Sequence, residues 1–102
     1  MPTSMVEIEV PNAENVTVAD DTLSVDLSDG RTISVPLAWF PRLLHASQEE
    51  RKIWKLIGKG QGIHWDSIDE DISVENLLAG RPSGESLPSF KKWLEERSSS
   101  QA

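Results

Sequence analysis

Gly62-Ile63-His64-Trp65-Asp66-Ser67-Ile68-Asp69-Glu70-Asp71-Ile72-Ser73-Val74-Glu75-Asn76-Leu77-Leu78-Ala79-Gly80 is the stretch on which the reading of this chain turns. Ile63 to Trp65 is a short extended segment, entered through Gly60-Gln61-Gly62. Alternation along it sends His64 and Trp65 to opposite faces, so only one of the two is buried. Three consecutive acids follow. Ser73 then caps a helix whose Val74, Leu77 and Leu78 pack and which Gly80 ends. A strand that turns at once into a capped helix belongs to a mixed fold.

Upstream the chain reads as strands. Met5 to Val10 alternates Val6, Ile8 and Val10 against Glu7 and Glu9, and Pro11-Asn12-Ala13 breaks the pattern. Val16 and Val18, then Leu23, Val25 and Leu27, alternate again, with Asp20-Asp21 as a tight turn between them. Asp29-Gly30 is a hairpin signal, because Gly tolerates positive φ and Asp can bond its own backbone. Ile33, Val35 and Leu37 share one face beyond it, and Pro36, which lacks a ladder donor, marks a strand end or an edge. Residues 5–37 are therefore expected to form three or four antiparallel strands in a meander.

Helices are expected afterwards. Pro41 suits a first helical position in Ala38–Leu44, and Ser47-Gln48-Glu49-Glu50 is a capping box. The helix that it opens is expected to carry Ile53, Trp54, Leu56 and Ile57 inward and to end at Gly58 or Gly60. A last amphipathic helix begins at Ser86-Leu87-Pro88 and turns Leu87, Phe90, Trp93 and Leu94 to one side. The expected architecture is α+β, an N-terminal antiparallel β-meander packed by three short helices, with residues 1–97 as one domain and 98–102 as a disordered tail.

Composition narrows the function. The 102 residues hold no cysteine, which removes disulfides, thiol catalysis and thiolate metal sites and suits a reducing, cytoplasmic compartment. No run approaches the ~20 apolar residues of a membrane span, so no membrane partner is expected. The net charge of −7 is unevenly spread: residues 1–30 carry seven acids and no Lys or Arg, while residues 31–60 carry six basic groups against two acids. A net acidic chain is a poor general binder of nucleic acid and draws basic partners instead.

Asp29-Gly30-Arg31, Val35-Pro36-Leu37, Trp39-Phe40-Pro41-Arg42-Leu43, Glu49-Glu50-Arg51, Trp54, Gly62-Ile63-His64-Trp65 and Ile68-Asp69-Glu70-Asp71-Ile72 together resemble, in order, one bacterial family, the domain-of-unknown-function family 2442 (DUF2442). The resemblance covers about residues 16–80. It implies a small α+β fold and a bacterial or phage origin. It also implies, for many members, a gene beside a second small protein in a toxin–antitoxin-like pair. Some members carry a helix-turn-helix after the domain, whereas the residues after Gly80 here make one helix at most. The family offers no established catalytic residues to carry over.

The candidate residues stand on their own chemistry. Asp69-Glu70-Asp71 reads first as a complement to the positive end of the following helix, with one acid free to bond Arg42 or Arg51. It reads next as a partner-facing acidic patch, and last as a metal site, because the alternate spacing and central Gly of a calcium loop are absent. His64 beside Asp66 suggests a general base, but no nucleophile elbow accompanies it, and His45 has no partner motif. Of the four tryptophans, Trp39, Trp54 and Trp93 fall at core positions and Trp65 is the expected exception. No metal, cofactor or enzymatic activity is expected. The chain reads as an antitoxin-like interaction module that binds a small basic, co-encoded protein through Trp65, His64, Asp69, Glu70 and Asp71. The alternative is a DNA-binding transcriptional regulator acting as a dimer, supported by the basic stretch from Arg42 to Lys59 and by the family members that carry a helix-turn-helix.

Overall fold

A computed structural model of the chain describes residues 10–100. The strand expected from Met5 lies outside the described residues, apart from Val10. Strands β1 (Ala13–Val18), β2 (Thr22–Leu27) and β3 (Thr32–Pro36) form an antiparallel meander in the order β1-β2-β3. The turns are those that the local chemistry dictates. Ala19 N–H donates to Thr22 O at 2.9 Å across the Asp20-Asp21 turn, and Gly30 takes φ +91° in the β2–β3 hairpin. Pro36 is the last residue of β3. One face of the meander carries Val16, Leu23, Val25 and Val35 into the core. The other is wet: Ser24 and Ser34 share a hydrogen bond of 2.8 Å, and Thr32 Oγ1 donates to Asp26 at 2.7 Å.

A 3-10 turn over Leu37–Trp39 leads to α1 (Pro41–Leu44), where Pro41 sits in the first turn as expected. The capping box forms in full: Ser47 Oγ accepts from Glu50 N–H at 3.0 Å, and Glu50 Oε1 accepts from Ser47 N–H at 2.8 Å. The helix that it opens, α2 (Gln48–Lys52), stops after five residues. This corrects the expectation of a longer helix. Ile53 is 63% exposed rather than inward, and Lys55–Ile57 is a strand, β4. Ile53-Trp54-Lys55-Leu56-Ile57 has helical spacing, and pairing with β5 (Gly62–Trp65) overrides it in favour of the strand.

β6 (Glu70–Ser73) pairs on the other side of β5, which completes a second antiparallel meander in the order β4-β5-β6. The fold is thus α+β, as expected, but with two three-stranded sheets. One apolar core, from Ala13 and Leu23 through Phe40 and Leu43 to Trp65, Ile72 and Leu77, joins them. Ser73 caps α3 (Val74–Leu78) by accepting from Asn76 N–H at 3.0 Å. Val74 and Leu77 are buried there, whereas Leu78 faces solvent. Last comes α4 (Leu87–Ser100), which contains Ser98, Ser99 and Ser100, residues placed in the tail by composition. Its Leu87 is exposed, not inward, while Phe90, Trp93 and Leu94 are half-buried.

Gly60 is a point where the second half comes up against the chain at Asn12 and Ala13. It has φ +89°, and a Cβ there would lie 2.9 Å from Asn12 Cβ and 3.0 Å from Ala13 O. Gly30 shares the positive φ but has open space around it. Gly60→Ala is therefore expected to cost about 2–4 kcal/mol and Gly30→Ala about 1 kcal/mol, as strain alone at Gly30 and strain plus a backbone clash at Gly60. Urea denaturation of both variants checks the order.

Candidate functional site

The acid run does not form one patch. Alternation along β6 turns Glu70 and Ile72 inward and Asp71 outward, while Asp69 sits at the corner with φ 52°. Two separate clusters result.

The outer cluster lies on the solvent face of the second sheet, where cross-strand register places Lys55, His64 and Asp71 in one row. His64 Nδ1 faces Asp71 Oδ1 at hydrogen-bonding distance, and His64 Nε2 lies 2.7 Å from Asp66 Oδ1. Lys55 Nζ is 3.4 Å from the other oxygen of Asp66. Both ring nitrogens face carboxylate oxygens, an arrangement that favours the imidazolium over the neutral ring. Its pKa is raised above the ordinary 6.5, first by the bond to Asp71 and then by Asp66, against some desolvation. Asp66 is held below the carboxylate range, first by Lys55 and also by His64. With a carboxylate at each ring nitrogen, His64 ties Asp66 and Asp71 together across the outer face.

The inner cluster centres on Arg42 of α1. Its Nε and Nη2 donate to Glu85 at 2.6–3.0 Å, and Nη1 donates to the carbonyls of Ile68 at 3.0 Å and Asp69 at 3.3 Å. The guanidinium stands 5.3 Å from the Trp93 ring. Glu85 is held below its usual range by Arg42, with help from the Ser89 hydroxyl. Glu70 lies behind this pair and is 9% exposed. Burial first, then the charge of Glu85, push its carboxyl up to about 7, although Arg42 opposes the shift. A second fork, Arg97 to Glu50 at 2.9–3.0 Å, holds the Glu50 carboxyl down at about 2.

Trp65 is the clearest correction. It is fully buried, and its indole Nε1–H donates to Arg51 O at 3.1 Å. It pairs across the sheet with Glu70 on the inward face, so neither residue can meet a partner directly. Of the five expected site residues, His64, Asp69 and Asp71 remain at or near the surface. The residues that sequence reasoning missed are Arg42, singled out only as a possible bond for the acids, and Glu85, which no motif marks. Within the basic stretch from Arg42 to Lys59, Arg42 is engaged by Glu85, Arg51 donates to the carbonyls of Leu43 and Leu44, and Lys55 pairs with Asp66. Among the described residues no group of three or more His, Cys, Asp or Glu is placed to hold a metal ion, and no helix is long and apolar enough to cross a membrane.

Two linked β-meanders with short capped helices, tied by an Arg42 hub, define a small α+β module. Residues 13–83 match the family described as Protein of unknown function (DUF2442), and the chain belongs to that family. A crystal structure of a protein of unknown function from Rhodospirillum rubrum ATCC 11170 is similar, at 28% identity and a TM-score of 0.64 over 76% of this chain and 95% of that one. The solution structure of an uncharacterized protein from Chromobacterium violaceum shares the fold, at 20% identity and a TM-score of 0.61 over 84% of this chain and 75% of that one. No curated protein matches.

The two clusters titrate in measurable ways. His64 is expected to titrate by NMR above its ordinary pKa, and Asp71→Asn is expected to lower that value more than Asp66→Asn, in the order of the causes above. Because the folded value is raised, the stabilisation from His64 is full below about 6.5 and is lost as pH rises through the folded pKa. For Glu70, the folded state holds a proton that the unfolded chain releases near 4.5, so stability falls as pH rises from about 4.5 through 7. Glu70→Gln is expected to flatten that fall, by about 1–3 kcal/mol at pH 8, in denaturant titrations across the pH range.

Proposed function

We propose that this chain is a protein-interaction module, the antitoxin-like member of a bacterial two-protein pair, which binds its co-encoded partner through the edge of the second sheet. The observation that carries this reading is β4. It is an edge strand, all three of its residues are exposed, and Leu56 and Ile57 expose 39% and 38% of their surface beside Ile53. An edge strand with unpaired backbone groups and exposed aliphatic side chains is a template for another chain. Gly62 lies across from Ile57, and its missing Cβ lets Ile57 lie flat against the sheet; a Cβ there would come within 3.1 Å. A shallow groove of about 320 Å³, lined by Val16, Val18, Lys52 and Trp54 among others, adjoins the start of the strip.

The net charge of −7 supports a basic partner by long-range attraction, with Glu14, Asp20, Asp21 and Asp26 exposed on the first meander. The apolar strip supplies the contact. The buried Trp65 and Glu70 have no part in it.

Co-expression with the product of the adjacent gene, followed by size-exclusion chromatography at low and high salt, tests the proposal. A complex that co-elutes, weakens with salt and is lost in the Leu56→Asp/Ile57→Asp variant is the expected result. Elution of the two proteins apart at both salt concentrations would sink it. Equal complex formation by the variant would move the interface away from β4.

A further inference from the structure

We propose that the surface around Arg42 is a second docking site, one that accepts a partner segment bearing a carboxylate and, eight residues along, an aromatic ring. The chain's own arm, residues 83–100, occupies that site in cis as a removable latch. Glu85 and Trp93 are the carboxylate and the ring that the arm supplies.

Four observations carry this. First, the buried core closes without the arm: among the described residues every buried apolar residue lies between Ala13 and Leu77, and α4 reaches that core only with partly buried side chains, among which Trp93 packs against it. A helix of 14 residues with no fully buried side chain among those of described burial gains less from apolar burial than the elements beneath it. Second, its contacts join a ring cluster, Phe90 edge-on to His45 and stacked with Trp93, to polar ties at its two ends. Glu85 forks onto Arg42 and Arg97 forks onto Glu50, and the Trp93 ring meets both guanidinium groups, at 5.3 Å from Arg42 and 4.6 Å from Arg97.

Third, the receiving half is fixed from the core side. Nη1 of Arg42 donates to the carbonyls of Ile68 and Asp69, which leaves Nε and Nη2 as a preset fork for one carboxylate. Such a fork accepts a planar carboxylate from any chain that can reach it. Fourth, the arm does not seal its seat. A cavity of about 300 Å³ remains between α4 and the core, lined by Arg42, Asp69, Ser89, Lys92, Trp93 and Glu96. The arm also lies almost wholly beyond residues 13–83, the part that matches the family. This site shares no residue with the β4 edge, so it stands or falls apart from it.

A tethered occupant has a high effective concentration, so a segment in trans competes only in proportion to the fraction of chains with the arm released. The test uses the full-length chain, its Glu85→Gln/Trp93→Ala variant and a fluorescein-labelled peptide of residues 83–100 as the probe. The peptide is expected to bind the variant at least ten-fold more tightly than the unaltered chain, by fluorescence anisotropy. Adding Arg42→Ala is expected to abolish that binding. Amide exchange in β2 is expected to stay as slow in the double variant as in the unaltered chain. Equal affinity for the two proteins, or binding indifferent to Arg42, would overturn the proposal. Fast exchange in β2 would make the arm part of the fold, and a dimer of the unaltered chain that Glu85→Gln dissociates would assign the arm to a neighbouring copy. Either result would also overturn it.

Discussion

The hydrogen bond from the Trp65 indole to the carbonyl of Arg51 is the constraint around which the second half of the chain is arranged. A fully buried tryptophan must find an acceptor for its N–H, and a helix end has carbonyls with no partner in the helix. The bond joins these two needs. It accounts for the position of α2, whose last turn supplies the acceptor, and for the inward aim of the β5 face that carries Ile63 and Trp65. The same residue works backward along the chain, since the Arg51 guanidinium donates to the last carbonyls of α1. One arginine thus links α1, α2 and β5, by its side chain on one side and its main chain on the other.

Electrostatics follows from the pleat. Asp69, Glu70 and Asp71 would repel one another if they shared a face, and the corner and the alternation of β6 separate them. Asp71 meets the His64 ring on the wet side. Glu70 lies in the shadow of Arg42 and keeps its proton to about pH 7. The adjacent Glu85 takes the Arg42 fork, so the two carboxylates near that one cation divide into an ionised and a protonatable member. The sheet face thereby decides the chemistry of each acid.

Much of the fold was legible because its signals are local. The capping box at Ser47, the Asp29-Gly30 hairpin, Pro36 as a strand end, Ser73 as a cap and the alternation of Val16 to Leu27 each depend on residues within a few positions. The second meander was not legible, for β4 is only three residues long and its neighbours Ile53 and Trp54 fit a helical face just as well. What ends α2 is a strand ten or more residues further on. Trp65 was misplaced for a related reason: alternation shows that His64 and Trp65 part company, but only packing against the first sheet tells which of them goes inside. The candidate site was half visible. His64, Asp66 and Asp71 are close in sequence, whereas Arg42 and Glu85 are 43 positions apart with no motif to join them.

Both sheets pair only strands that are consecutive in the chain, β1 with β2 and β3, β4 with β5 and β6. Each meander can therefore zip from its own hairpin turns with short loops to close, and little chain entropy is lost before the first contacts form. Neither sheet can bury its apolar face alone. Docking the two ribbons buries both faces together and brings Gly60 against Asn12 and Ala13, where a Cβ would come within 2.9–3.0 Å. The assembly of the fold therefore depends on one backbone position that has no side chain.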